Sequence, residues 1–330
     1  MARYRNQLPQ LDTGLFVTDG GLETTLIFHQ GIELPLFAAF DLLKHDAGRT
    51  LLADYFRRYA EIARAHGFGL VLESPTWRAN QDWGAKLGYD RQALEKANRQ
   101  AIDLMLAVRA AHEDARTDAR PNPRTKVVIS GNLGPRGDGY RPASRMSARE
   151  AQAYHTAQIR TFAQTEADMV AGFTMNYVEE AIGIAAAAQA CGIPAAISFT
   201  LETDGRLPSG DTLASAIRRT DDETGGYPAY YMLNCAHPTH FASVLQEDAP
   251  WRSRLLGLRA NASKRSHAEL DESPDLDAGD PEELGAQYRE LHAVLPCLRV
   301  IGGCCGTDHR HVEAACRALR LRELSPLSDA

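Results

Sequence analysis

Eight short apolar runs recur along the chain: GLFVTDG (14–20), FGLVLES (68–74), KVVISGN (126–132), DMVAGFT (168–174), PAAISFT (194–200), AYYMLNC (229–235), RLLGLRA (254–260) and LRVIGGC (298–304). Continuous runs rich in Val, Ile, Leu and Phe suit strands that are covered on both faces. Most of them meet a cluster of Gly, Pro, Asn or Asp. Between the runs the apolar spacing changes to i, i+3, i+4, as in Leu51, Leu52, Tyr55, Tyr59, Ile62 and Ala63. That period predicts helices over 47–66, 91–115, 146–166, 177–190, 212–220, 238–247, 281–294 and 308–321. Ser147 stands three residues before Glu150, the spacing of a capping box that satisfies the first amides of a helix.

Strand and helix alternating in this way predict a (β/α)8 TIM barrel of the α/β class, with 1–330 as one domain. The rival is a doubly wound open sheet, which usually carries a Gly-rich nucleotide turn after its first strand. Here that turn reads Asp19-Gly20-Gly21-Leu22-Glu23-Thr24, which is not GxGxxG. Three stretches break the alternation: a polar, Pro-containing loop at 116–124, a Gly/Arg loop at 134–145, and the acidic segment 261–280, NASKRSHAELDESPDLDAGD. A long aperiodic loop in a compact barrel is a lid or a flexible segment.

Composition narrows the function. The chain has 330 residues, 24% of them charged, and a formal net charge of −7, with no basic stripe of the kind nucleic acids require. No apolar run reaches the ~18 residues of a membrane helix. The N-terminus MARYRNQLPQLDTG has no apolar signal core, so the protein is expected in the cytoplasm. Neither nucleic acid nor membrane is expected as a partner. Six cysteines are too few for a disulfide scaffold of this length, and clustered cysteines in a reducing compartment point to metal or catalysis.

Cys235 closes the sixth run and Cys304-Cys305 close the eighth. Active sites of barrels lie at the C-terminal ends of the strands, so the three sulfurs are expected in one mouth. Gly302, Gly303 and Gly306 supply the backbone freedom that two adjacent ligands need. Three thiolates with one open position are the layout of a catalytic zinc site. Such a site is too electron-rich to activate water, but it lowers the pKa of an incoming thiol and leaves the sulfur nucleophilic. Cys191, Cys297 and Cys316 read instead as small packed residues.

The chain resembles the homocysteine S-methyltransferases. The resemblance rests on Asp19-Gly20-Gly21-Leu22-Glu23-Thr24, Gly131-Asn132-Leu133-Gly134-Pro135, Val178-Glu179-Glu180-Ala181, Ser198-Phe199-Thr200, Asn234-Cys235 and Gly302-Gly303-Cys304-Cys305-Gly306. It implies a (β/α)8 barrel in which Cys235, Cys304 and Cys305 bind zinc and the metal binds the thiolate of homocysteine, giving methionine. A standalone barrel of this family is expected to use a small onium donor: S-methylmethionine, S-adenosylmethionine or a betaine. The resemblance also implies that Asp19 lines the pocket, the reading favoured here, although an Asp before Gly-Gly can also simply shape a turn. Glu23 either caps the first helix or reaches the pocket. Asn234 either orients the metal loop or binds a substrate carboxylate.

One departure stands out against that family. Relatives carry an acid at the end of the fourth strand, in an Ala-Glu-Thr pattern, to bind the homocysteine amino group; this chain reads Ala171-Gly172-Phe173-Thr174, which we align with Gly172 in place of the acid. Glu73, at the end of the second strand, either substitutes for it or pairs with a nearby Arg such as Arg78. Trp77 is expected to stack on the onium donor by cation–π attraction or to pack the loop. His237, His309 and His311 are expected in surface or capping roles. Two rivals stand beside methyl transfer to homocysteine: the same chemistry on another thiol, and a zinc- or thiol-binding barrel without turnover. A zinc-dependent hydrolase would need His and Asp ligands, and no HxH follows the first strand.

Overall fold

The computed structural model describes residues 1–12, 14–114, 125–142, 144–271, 273 and 275–323. Eight parallel strands close into a barrel in chain order: β1 (Phe16–Val17), β2 (Gly69–Glu73), β3 (Val127–Leu133), β4 (Met169–Met175), β5 (Ala195–Phe199), β6 (Tyr230–Asn234), β7 (Leu255–Ala260) and β8 (Val300–Gly303). Closure runs through β1 and β8, with Phe16 opposite Val300. The predicted single-domain (β/α)8 architecture is the one observed.

Successive side chains on a strand point to opposite faces. Phe16, Val71, Val128, Met169, Ala171, Ala196, Tyr230, Met232 and Val300 therefore fill the barrel, while Val17, Leu72, Ile129, Val170, Ile197, Leu233 and Ile301 face the helices. Fully burying one such aliphatic or aromatic side chain contributes about 1.5–3 kcal/mol. The N-terminal segment closes the bottom: Leu8 joins the inner cluster, Gln10 Nε2 reaches Met169 Sδ at 3.2 Å, and the Tyr4 amide donates to Asp168 at 2.7 Å.

The long helices Asp46–His66, Arg91–Asp114, Ala148–Ala163, Val178–Cys191, Leu213–Thr224, Pro281–Val294 and His309–Glu323 form the outer layer. Ser147 and Glu150 make the expected capping box. The helix expected over 238–247 is shorter: Pro238–Phe241 followed by a 3-10 turn, Val244–Gln246. The loop expected at 116–124 lies outside the described residues. Segment 261–280 carries a helix, His267–Asp271, whose start is tied by Ser266 and Glu269. That three-residue spacing is in the sequence, but the segment is too short to display an apolar period. No described helix is long and apolar enough to cross a membrane.

Candidate active site

Cys235 follows β6, and Cys304 and Cys305 follow β8, so barrel closure brings residues about seventy positions apart to one rim. The three sulfurs lie within 4.8 Å of one another, the only such cluster of metal-ligating side chains found among the described residues. Cys235 and Cys304 stand sulfur to sulfur as a pair, with Cα atoms 5.4 Å apart, and Cys305 Sγ is 4.0 Å from Cys235 Sγ. Sulfurs held about 2.3 Å from one tetrahedral ion are about 3.8 Å apart. The trio, once reduced, fits such an ion with little movement, and its soft donors suit zinc.

The ligand loops are built for this position. Gly306 adopts φ 79°, and its amide donates to Thr24 Oγ1 at 3.0 Å. Cys235 and Thr174 hold positive φ values, 55° and 61°, which side chains with a Cβ adopt at a cost. Asn234 secures both. Its Oδ1 accepts from the Thr174 amide at 2.9 Å and from Ser198 Oγ at 2.6 Å; its Nδ2 donates to Thr174 Oγ1 at 2.9 Å and to Cys235 Sγ at 3.1 Å. Both side-chain atoms of Asn234 are thus engaged within the protein, which matches loop orientation and leaves little for a substrate carboxylate.

Two loops meet over the cysteines. Tyr140, from the 134–145 loop, stacks on His267 with ring centroids 3.9 Å apart, and its hydroxyl is 3.7 Å from Cys305 Sγ. His267 Nε2 contacts the carbonyl of Cys235. Neither residue stood out in the sequence: Tyr140 sits in a polar loop, and His267 opens a helix too short to display an apolar period.

A cavity of about 530 Å³ opens beside the sulfurs. Asp19, Glu23, Glu73, Trp77, Asn234 and the three cysteines all line it. Asp19 pairs with Arg259 at 2.9 Å and accepts from Tyr55 Oη at 3.0 Å. Burial raises the Asp19 carboxyl, against the pull of Arg259. Glu23 lies in the first turn of Leu22–Thr24 and faces the cavity; burial raises it too. Glu73 is 2% exposed; burial pushes it up to about 7 against the pull of Arg259 and the nearby Ser130 hydroxyl, and neither of its oxygens makes a hydrogen bond of good geometry.

Arg259 was not singled out in the sequence, although a charge inside the run RLLGLRA was the available signal. Inward alternation on β7 carries it into the cavity, where it donates to the carbonyls of Gly303 and Gly20 at 3.0 Å each. The arginine expected beside Glu73 is corrected accordingly: Arg259 supplies the opposing charge, not Arg78. Arg78 lies between two indoles, 4.1 Å from the ring of Trp77 and 3.8 Å from that of Trp83. One cation of the protein itself therefore already occupies a face of Trp77.

The departure at the fourth strand also moves by one residue. A Cβ at Gly172 would point outward, 3.1 Å from Ile184 Cδ1 in the helix layer. The cavity-facing position is Phe173, whose ring lies 5.2 Å from the Arg259 guanidinium carbon. Period-2 alternation decides this, and the local motif did not.

Of the three histidines singled out in the sequence, His237 and His311 serve the backbone. His237 Nδ1 accepts from the Thr239 amide at 3.2 Å and caps Pro238–Phe241. His311 is buried, not superficial: Nδ1 accepts from the Asp308 amide at 3.1 Å and Nε2 lies 2.7 Å from the carbonyl of Ala278. His309 Nδ1 is 3.4 Å from Arg58.

A sequence model of the family described as Homocysteine S-methyltransferase matches residues 16–319. Similar proteins include Homocysteine S-methyltransferase 4 of Zea mays, 26% identical over 94% of this chain and 91% of that protein, and Homocysteine S-methyltransferase 1 of Arabidopsis thaliana, 22% identical over 94% of each. The fold is also that of the Escherichia coli homocysteine methyltransferase MmuM. Its oxidised form superposes with a TM-score of 0.73 at 19% identity, over 92% of this chain and 96% of that one. Its metallated form gives 0.72 at 19% identity, over 94% and 97%. With the family match spanning the whole barrel, the chain belongs to the homocysteine S-methyltransferase family and is an S-methyltransferase.

Proposed function

We propose that the protein transfers a methyl group from a small onium donor (S-methylmethionine, S-adenosylmethionine or a betaine) to the thiolate of homocysteine, giving methionine, and that the reaction depends on zinc. The observation that carries this reading is the convergence of Cys235, Cys304 and Cys305 at the edge of one cavity. Zinc held by these three thiolates would lower the pKa of an incoming thiol without quenching its nucleophilicity.

The protein's own residues supply positioning. Asn234 fixes the strained ends of β4 and β6 and donates to the Cys235 sulfur. Asp19, Glu23 and Glu73 make the inner wall acidic, and Asp138, Asp275 and Asp277 add carboxylates at the rim, a field that favours a cationic donor. Trp77, with Phe28 and Phe37 at the mouth, offers aromatic surface to an onium methyl. Segment 261–280 forms part of the cavity wall through Asn261, Ser263, His267 and Leu270, and we assign it the role of a lid that limits water. Holding donor and thiol in line is then the main contribution to rate.

The test is methionine formation by zinc-loaded protein with homocysteine and each donor separately, with Cys304→Ala as control. Turnover with one donor that disappears in the control, together with about one zinc per chain, is expected. A second reading, methyl transfer to a different thiol, is favoured by Phe173 at the cavity-facing β4 position. Full zinc loading with no methionine from any donor would favour it, and a chain that binds no metal would sink both.

A further inference from the structure

Two opposite charges at the inner end of the cavity have a more specific use. Glu73 closes β2, is buried, and makes no hydrogen bond of good geometry through either carboxylate oxygen, with the Ser130 hydroxyl beside it. Arg259, on β7, commits Nε to the Gly303 carbonyl and Nη2 to Gly20 and Asp19, and its Nη1 makes no hydrogen bond among the described residues. The two side chains are close enough to interact electrostatically, and both line the cavity that the three cysteines share.

Phe173 explains why these charges remain available. A carboxylate at that position would face the Arg259 guanidinium, now 5.2 Å from the Phe173 ring, and would neutralise it. An aromatic ring packs against the guanidinium face without consuming its donors. Asp19 balances only one edge of Arg259. Glu73 has one neutral hydroxyl, Ser130, beside it and no hydrogen bond of good geometry, a costly state for a buried carboxylate unless a ligand completes it. A ligand that brings both an ammonium and a carboxylate satisfies both residues and leaves the net charge of the wall unchanged.

We propose that Glu73 and Arg259 form a clamp for the amino-acid end of the acceptor, Glu73 taking the α-ammonium and Arg259 Nη1 the α-carboxylate. The substrate class is then an α-amino acid with a terminal thiol, gripped from β2 and β7. This rests on the proposed methyl-acceptor role of the cavity, but its recognition test needs neither donor nor metal. The carboxylate at Glu73 is raised to about 7, so the clamp is complete only where that group is ionised.

The experiment is calorimetric titration at pH 8 with three thioethers: methionine, 4-(methylthio)butanoate, which lacks the amino group, and 3-(methylthio)propylamine, which lacks the carboxylate. Methionine is expected to bind the wild-type protein at least about 10-fold more tightly than either analogue. Glu73→Gln should bring methionine to the affinity of the des-amino analogue while leaving that analogue's own affinity unchanged. Equal binding of methionine and the des-amino analogue, no binding of any of the three, or a folded Glu73→Gln variant with wild-type methionine affinity would each overturn the clamp. The analogue series on the wild-type chain holds even if the variant does not fold. A protein that passes this test yet makes no methionine keeps the clamp and loses the methyl-transfer proposal. One that makes methionine but fails it does the reverse.

Discussion

Asn234 Nδ2 donates a hydrogen bond to Cys235 Sγ at 3.1 Å, so the residue before the cysteine holds that cysteine's sulfur. The same side chain fixes Thr174 across the barrel through two bonds of 2.9 Å. Partners that orient metal ligands typically change metal affinity or activity 10–100-fold when removed. Asn234→Ala is expected to weaken zinc binding by about that factor, read by competition with a chromogenic chelator. A wild-type zinc constant in a folded variant would refute the orienting role.

Glu73 makes the stability of the protein depend on pH in a defined direction. Burial pushes its carboxyl from 4.5 up to about 7 in the folded chain. Between those values the folded state holds a proton that the unfolded state has released, so stability falls as pH rises through this window. Glu73→Gln is neutral throughout. It should match the wild type near pH 4, below the unfolded value, and be more stable at pH 8, by up to about 3 kcal/mol. Thermal unfolding of the ligand-free proteins at the two pH values measures this, and an equal difference at both would contradict it.

Positions 172 and 173 should respond in opposite ways to an introduced carboxylate. A glutamate at 172 would enter the layer between β4 and the helix Val178–Cys191, where Ile184 and Ile197 are the nearest side chains. Gly172→Glu leaves a charge uncompensated there and is expected to cost about 3–5 kcal/mol. Phe173→Glu faces Arg259 and the cavity and should be tolerated far better. Denaturant unfolding of the two variants gives the comparison, and similar losses would mean that the strand register is misread.

Tyr288 is fully buried and its hydroxyl serves β7 and β8 together: it accepts from the Ala260 amide at 3.0 Å and donates to the Gly302 carbonyl. Tyr288→Phe leaves that amide and carbonyl without their partner and is expected to cost about 1–3 kcal/mol. Because Gly302 lies two residues before Cys304, zinc affinity should drop alongside Tm. A loss of Tm with unaltered zinc affinity would confine Tyr288 to stability.

Much of this site was legible in the sequence because it is carried by local signals. Eight continuous apolar runs and the 3.6-residue spacing between them are one-dimensional patterns; six runs contain their strands whole, and β3 and β4 extend one residue past theirs. The cysteines were legible because each closes a run, and in a barrel the C-terminal end of a run is the mouth. Ser147 and Glu150 were legible because a capping box depends on residues three apart. Arg259, Tyr140 and His267 were not, since a charge in an apolar run and an aromatic in a polar loop acquire meaning only from what stands opposite.

The sequence by itself determined the number and order of strands, the long helices between them, the barrel they close into, and the three sulfurs at its rim. Hydrophobic periodicity and strand polarity act within a few residues of chain, and they suffice for that. Only the tertiary structure decided that Phe173 rather than Gly172 faces the cavity, that Glu73 opposes Arg259 rather than Arg78, and that Trp77 already carries a guanidinium on one face. Those outcomes depend on which inward side chains meet across the barrel. The physical reason is that strand twist and register on eight separate segments set that meeting, and no spacing along one segment contains it.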